Sequence, residues 1–518
     1  MHNSRPIPAS RNSLGTGWSK QRIGLALGPV LFLIVELIPT PADMATVAAS
    51  QSLPPWAPQF GLGILLWIVV WWTTECVPLG LAALVAPMAF SIAGLVSWPD
   101  ALGSYTHPII WIFFAGFALA AAFQKWGLDR RFSYRLGSIY RGDNPQVAAF
   151  FAAALPVFLL TMTGSITGST AVVYPMVLAF LATLGVGKNS RYGTGTLVLL
   201  GQAATAGAML LLISTLPNLV TKAAVERAVP GATITFSDWL IVGTPQAVAG
   251  LLISWAVVFF LIRPEVKSLQ GARERFSEGL RELGPASRGE KMVALVLITI
   301  IVLWVVPSAI RALSYSNPSL APAATILAQI LPETVPALLA LIALALLRAE
   351  GKPLLGWDEG LRAIDWSIVF LFGGGIALGL GLERSGFAAW LGQVGTLWAG
   401  PAPSTFTIFA IAALIGFGLT YAASNTAACI ISTSVASSLA LGAGVNPIPA
   451  ILAAGIASNI SSALPSTTPP MAIVYGSGQI RMRDMLRVGI VSDLLRLTVL
   501  LATGPFLADL LCACKGIG

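Results

Sequence analysis

The chain has 518 residues, of which 56% are hydrophobic and only 10% charged, with a formal net charge of +8. About 25% charged residues is usual in a soluble domain, so a water-solvated globule is excluded and the bilayer is the expected solvent. The basic excess lies in short connections between apolar runs rather than on one face of a folded module, which excludes nucleic acid as a partner and fits the cytoplasmic bias of Lys and Arg in membrane proteins.

Residues 1–21, with Arg5, Arg11 and Lys20, read as a cytoplasmic leader. No small-residue cleavage site follows, so the apolar run after Arg22 is read as a retained first helix rather than a signal peptide. Apolar runs of about 20 residues, the length of a spanning helix, recur as far as Cys512. No stretch between them would hold a separate soluble domain, and the expectation is a single membrane transport domain over 22–512 with a tail at 513–518. The stretch from Thr40 to Gln59 has no Lys or Arg and is placed outside. The loops with Arg130, Arg131, Arg135 and Arg141, from Arg263 to Lys291, with Arg348 and Lys352, and with Arg481, Arg483 and Arg487 are placed inside. The charge rule then gives an all-α polytopic membrane protein of about eleven transmembrane helices. Its location is the cell inner membrane, with the N-terminus cytoplasmic and the C-terminus outside. Cys76, Cys429, Cys512 and Cys514 are scattered without metal spacing.

Two apolar segments resist assignment as single crossings. The first, roughly Ala148 to Leu184, is flanked by Arg141 and Lys188 and must return to the side it entered from; the second, roughly Ser404 to Leu441, must re-enter from the opposite side. Such re-entrant backbone needs protein or a wet cavity around it. Two further runs are interrupted, at Ile213 to Asn218 and at Ser462 to Pro470, the latter carrying Pro465, Pro469 and Pro470, which cannot continue a helix. Phe113, Gly116, Ala118, Leu119 and Gly127 recur as Phe372, Gly375, Ala377, Leu378 and Gly386. The offset is about 259 positions, and it also superposes Ser165 and Thr167 on Ser424 and Thr426. The expected architecture is an inverted repeat, repeat one about 60–262 and repeat two about 291–511, with two re-entrant helical hairpins and two broken helices. A substrate site belongs at the shared interface of such repeats, near the bilayer midplane.

Ser424, Asn425 and Thr426 stand together in a segment otherwise made of Ala, Leu and Ile. Such residues terminate one half-helix and start the next as N-caps. The amides freed at that start attract an anion, and the unwound carbonyls suit a small cation. The competing reading is that these hydroxyls only pack two membrane helices together. An enzyme would need clustered titratable or metal-binding groups, whereas this chain has two histidines and no intramembrane carboxylate pair. An anion channel is the other alternative, but paired hydroxyl and amide tips form an occluding site rather than a ring-lined pore. Glu75 is the one carboxylate in its run, Asp365, Glu383 and Arg384 lie near helix ends where snorkelling would carry them, and His107 lies at an outer boundary.

Trp71, Trp72, Thr73, Thr74, Glu75, Cys76, Val77, Pro78, then Gly373 to Gly375, Ser424 to Thr426 and Thr468 to Pro470 resemble the signature of the divalent anion:sodium symporter family, the dicarboxylate, citrate and sulfate carriers. The resemblance spans nearly the whole chain. It implies a homodimer that works as an elevator, a small anionic substrate, and sodium as the coupling ion with no other cofactor. It also implies a second sodium site at Thr420, Ala423, Asn425 and Thr467, a first at Thr161, Ser165 and Ser214, and substrate contacts from Ser165, Thr167, Ser424, Asn425, Thr426, Thr468 and Pro469. The first tip departs from the pattern by reading Ser165, Ile166, Thr167. Isoleucine offers a cation no oxygen and a carboxylate no donor. Ser169, Thr170, Thr161 and Thr163 stand nearby as substitutes, and the expectation is looser coupling or an altered substrate, with exchange or proton coupling as the variant reading.

Overall fold

The computed structural model describes residues 20–186, 190–269, 272–399 and 403–515. The leader before Lys20, Lys188 and the last three residues lie outside the described residues. The chain begins with α1 (Lys20–Leu37), α2 (Ala57–Thr74), α3 (Leu79–Ile92, in two short pieces) and α4 (Pro108–Lys125). A hairpin of α5 (Pro145–Thr163) and α6 (Ile166–Thr183) follows, then α7 (Arg191–Gly207), α8 (Leu216–Ala228) and α9 (Phe236–Leu261). The second half runs through α10 (Arg288–Ser316), α11 (Thr334–Leu346) and α12 (Trp366–Arg384) to a hairpin of α13 (Thr405–Ala422) and α14 (Asn425–Gly442). It closes with α15 (Pro447–Ala457), α16 (Pro469–Tyr475) and α17 (Met482–Lys515). One exception to the helices is a two-residue antiparallel hairpin pairing Arg348 with Pro353 and Ala349 with Lys352, turned by Glu350 and Gly351, both at positive φ.

Local chemistry sets these boundaries. Thr235 and Asp238 form a reciprocal capping box at the start of α9, and Ser287 and Glu290 form another at the start of α10. Ser190 caps α7, Ser404 caps α13 and Asn446 caps α15. The exposed Asp365 accepts from the amides of Ser367 (3.0 Å) and Ile368 (3.4 Å), so it caps α12 rather than snorkelling. His107 caps α4 through Nδ1. Glu75 closes α2 in the left-handed region at φ 49° and is exposed.

Among the described residues nine helices are long and apolar enough to span a bilayer, or eleven if two bent pairs are each counted as one. That number equals the expected one, but the members differ. Three of the nine are hairpin arms, α5, α13 and α14, while the crossings assembled from short pieces, such as α3 and the interrupted α7–α8 and α15–α16, fall below the length of a single span. The breaks are also displaced from their expected positions. In the first half helix is lost from Ala208 to Thr215 and resumes at Leu216, with Asn218 already helical. In the second it is lost from Ser458 to Thr468; Pro469 and Pro470 open α16, where their missing amides cost nothing.

The second arms of the two hairpins match closely. Helices α6 and α14 are each 18 residues long and start after Ser165 and Ser424, which cap them through the amides of Gly168 (2.9 Å) and Ala427 (3.3 Å). Gly185 and Gly444 follow them at φ 67° and 68°. The rings of Phe113 and Phe372, one from each half, meet edge to face at 5.0 Å.

The core lies in the hairpins and interrupted helices: every residue of α7 from Tyr192 and every residue of α15 is buried. By contrast α10 and α17 expose rows of large apolar side chains such as Leu295, Ile298, Val302, Ile490 and Leu494. Close approach at the core depends on small residues, as expected where lipid removes the hydrophobic drive between helices. A Cβ on Gly416 of α13 would strike the Ala454 backbone of α15, whereas Gly418, two residues on, faces open space. Gly416→Val is therefore expected to destabilise the protein by about 1–3 kcal/mol, the usual cost of overpacking, and Gly418→Val to leave it near wild type; thermal unfolding of the two purified variants checks the pair.

Candidate functional site

The second hairpin turns at Ala423 and Ser424, both in extended conformation, between α13 and α14. With the Ser424 hydroxyl engaged as cap, Asn425 becomes the first helical residue, and its side chain is directed back toward α13. Asn425 Oδ1 lies 2.7 Å from Thr420 Oγ1 and 3.3 Å from Ser461 Oγ. Thr420 Oγ1 is 2.8 Å from the Ser458 carbonyl and 3.0 Å from Ser461 Oγ. Four oxygens, two from the hairpin and two from the second break, thus form one knot, and Thr420, Ser458 and Ser461 are fully buried. An all-oxygen set that includes an unwound carbonyl is the donor chemistry a small hard cation takes in discontinuous helices.

Of the residues expected here, the structure joins Thr420 and Asn425, with Ala423 buried between the arms. Thr467 is turned to its own loop, donating to the Leu464 carbonyl at 2.7 Å. Thr468 lies 3.4 Å from Thr205 of α7, hydroxyl to hydroxyl, and so links the halves. Ser424 and Thr426 are half-buried at the tip, and Pro469 is exposed at the start of α16. Ser458 and Ser461 were not expected from the sequence. They precede the prolines that drew attention to this break, and one of them contributes a carbonyl, which carries no side-chain signature.

At the first tip Gly164, at φ 95°, allows the turn; a Cβ there would sit 3.3 Å from Gly116 of α4 and 3.5 Å from the Ile213 carbonyl, so tip, α4 and first break are in contact. Ser165, Ile166 and Thr167 line a cavity of about 110 Å³ together with Ser214 and Thr215. Ser165 is engaged as the cap of α6, and Ser214 Oγ accepts from the Leu211 amide at 3.1 Å. Thr161, outside that cavity's walls, lies 2.8 Å from the Gly207 carbonyl at the end of α7, just as Thr420 reaches Ser458. Ile166 stands where Asn425 stands in the other half and carries no amide oxygen; Ser169 and Thr170 donate to the carbonyls of Ser165 and Ile166, Thr163 donates to that of Leu160, and a side-chain amide, that of Gln124 of α4, reaches this tip beside Gly168.

The two breaks are stitched together by amides. Asn459 Nδ2 donates to Asn218 Oδ1 at 3.1 Å, and Asn218 Nδ2 donates to the carbonyls of Ala208 (2.7 Å) and Leu211 (2.9 Å) within the first break. A second support went unanticipated, the buried pair Asp493 and Arg496 of α17. Asp493 accepts from the Ser462 amide (2.6 Å), the Ser462 hydroxyl (2.6 Å) and Tyr421 of α13 (2.7 Å). Arg496 donates to the carbonyls of Ile460 (3.3 Å) and Gln202 (3.1 Å) and to the Ser254 hydroxyl. The signal was available: an acid and a base three positions apart in an apolar run are partners inside a membrane by default.

A buried charge left alone is far costlier than a buried pair. Asp493→Ala, which strands Arg496, is expected to cost about 3–5 kcal/mol. The double variant Asp493→Leu with Arg496→Met should recover much of that loss, as read by thermal unfolding in detergent.

The family model described as the sodium:sulfate symporter transmembrane region matches residues 19–513. The sodium-dependent dicarboxylate transporter SdcS of Staphylococcus saprophyticus is 28% identical over 500 residues, which cover 94% of this chain and 91% of that protein. SdcS of Staphylococcus aureus is 29% identical over 484 residues, covering 90% and 88%. The solved structure of MtrF from Neisseria gonorrhoeae aligns over 78% of this chain and 82% of its own, at 14% identity and a TM-score of 0.47. Because the family model takes in both hairpins, both breaks and the buried pair that braces them, the chain belongs to the sodium:sulfate symporter family.

Proposed function

We propose that this protein is a secondary active transporter that moves a small divalent anion, a di- or tricarboxylate, together with sodium. The observation that carries the proposal is the buried knot of Thr420, Asn425, Ser461 and the Ser458 carbonyl, where a hairpin tip meets an interrupted helix. In this reading sodium displaces the hydroxyl contacts within the knot and fixes the tip. The half-buried Ser424 and Thr426, with the first free amides of α14, then receive one carboxylate at the positive end of an 18-residue helix. Ser165, Thr167 and the amides opening α6 receive the other. The sodium-dependent dicarboxylate transporters it resembles support the substrate class and the coupling ion.

The two halves lie in opposite orientations across the cell inner membrane, with the N-terminus inside and the C-terminus outside, an arrangement supported by the loop charges. Movement of the hairpins and interrupted helices against the other spans, as an elevator within a homodimer, would expose the site alternately to each side. Thr467, Ala423 and Pro469 border the second site in this scheme, and Thr161, Ser165 and Ser214 form a weaker first cation site. A second reading, anion exchange or proton coupling, is favoured by one feature: Ile166 removes from the first tip the amide oxygen that Asn425 supplies to the second.

Uptake of labelled succinate, citrate and sulfate into proteoliposomes, with and without a sodium gradient, tests the function. Asn425→Ala and Thr420→Val should each raise the sodium concentration for half-maximal uptake roughly tenfold or more, the effect of losing a polar contact to a charge. Ile166→Asn should steepen the sodium dependence. Uptake indifferent to sodium but driven by an internal anion would establish the exchange reading, and single-channel currents in a planar bilayer would remove both.

A further inference from the structure

At the end of the molecule remote from the hairpin tips, the first turn of α7, the C-terminal end of α9 and the turn leading into α17 enclose a concavity of about 600 Å³. Four guanidiniums line it, those of Arg191, Arg263, Arg481 and Arg487, against the single carboxylate of Asp484. The concavity is braced from within the fold: Thr194 of α7 donates to the Gln479 carbonyl at 2.9 Å and so fixes the turn before Arg481. Glu265, the nearest acid on the α7 side, is already occupied. It accepts from the Tyr192 amide at 2.9 Å and from the Ser190 hydroxyl. Burial alone would push its carboxyl upward, but these bonds together with Arg191 hold it below the usual range. Among the described residues no ion pair within bonding distance involves Arg263, Arg481 or Arg487, and Arg191 acts on Glu265 only at longer range.

Loop arginines on the cytoplasmic side of a membrane protein are ordinarily solvated and serve only topology. Here they converge from three separate elements on one hollow, and one wall of that hollow is apolar. Phe260, 71% exposed near the end of the apolar helix α9, continues the wall outward onto the outer surface of that helix. Guanidinium forks match the oxygens of a phosphate in pairs, and basic pockets between membrane helices on this side suit anionic headgroups. The transport site is a different place: from Thr194 to Gly207, where the first break begins, α7 runs roughly 20 Å at the helical rise.

We propose that this concavity is a binding site for a phosphate group, carried by an anionic phospholipid whose chains lie along Phe260 or free in the cytoplasm. The apolar wall favours the lipid. The site is independent of which anion is transported.

The test uses the full-length protein in phosphatidylcholine nanodiscs, wild type beside Arg481→Gln/Arg487→Gln, with phosphatidylglycerol added in one arm and inorganic phosphate in the other. Bound lipid is counted by native mass spectrometry, and unfolding temperature is followed in both arms. Wild type should retain phosphatidylglycerol over phosphatidylcholine and be stabilised by it, and the double variant should retain it roughly tenfold less well. Stabilisation by inorganic phosphate alone, lost in the variant, would assign the site to the free ion. Equal retention and equal stabilisation of wild type and variant in both arms would overturn the proposal. If the double variant does not give a monodisperse protein, Arg263→Gln, on a residue beyond the end of α9, carries the same comparison.

Discussion

Peptide groups that leave helical geometry inside a membrane protein have no water to turn to, and each must find a partner in the protein. Among the described residues the buried backbone leaves helical geometry at two hairpin tips and two interrupted helices, and many polar side chains of the core are arranged around those departures. Thr161 and Thr420 reach the carbonyls that end α7 and α15. Asn218 takes two carbonyls of the first break, and Asp493 takes the Ser462 amide of the second. The residues of the candidate site are thus among those that make the interrupted backbone tolerable.

Chemically, that arrangement means the site is built from neutral groups. The oxygens around Asn425 belong to an amide, two hydroxyls and a carbonyl, and the nearest buried charges, Asp493 and Arg496, are consumed by the scaffold and by each other. A neutral cage binds a cation weakly until an anion arrives beside it, and a bound cation supplies the charge an anion otherwise lacks. In the proposed function, mutual dependence of the two ligands then follows from the donor set. The first tip, with Ile166 in place of an amide, holds only half of this logic.

Much of the fold was legible in sequence because lipid imposes few options. Loop charges and apolar run lengths located both hairpins to within a few residues, and the repeated spacing superposed Ser165 on Ser424, which the structure uses identically as helix caps. What sequence misplaced were the breaks. Proline announces where a helix cannot continue, but Pro469 and Pro470 sit where one begins, and the unwinding at Ser458 that precedes them is set by Asn459, Asp493 and Arg496 reaching across the core. Such cross-core contacts have no local pattern. The crossing count matched for a related reason: short broken spans escape a length criterion that hairpin arms satisfy.

Gly416 of α13 lies directly against the Ala454 backbone of α15. The outer arm of the second hairpin is fastened to α15 at two heights, there by bare backbone and one turn on by Thr420 against Ser458. A strip clamped at two points cannot swing open like a flap. Under the elevator movement proposed above, hairpin and interrupted helix travel together as a single block, with Ser424 at its leading edge.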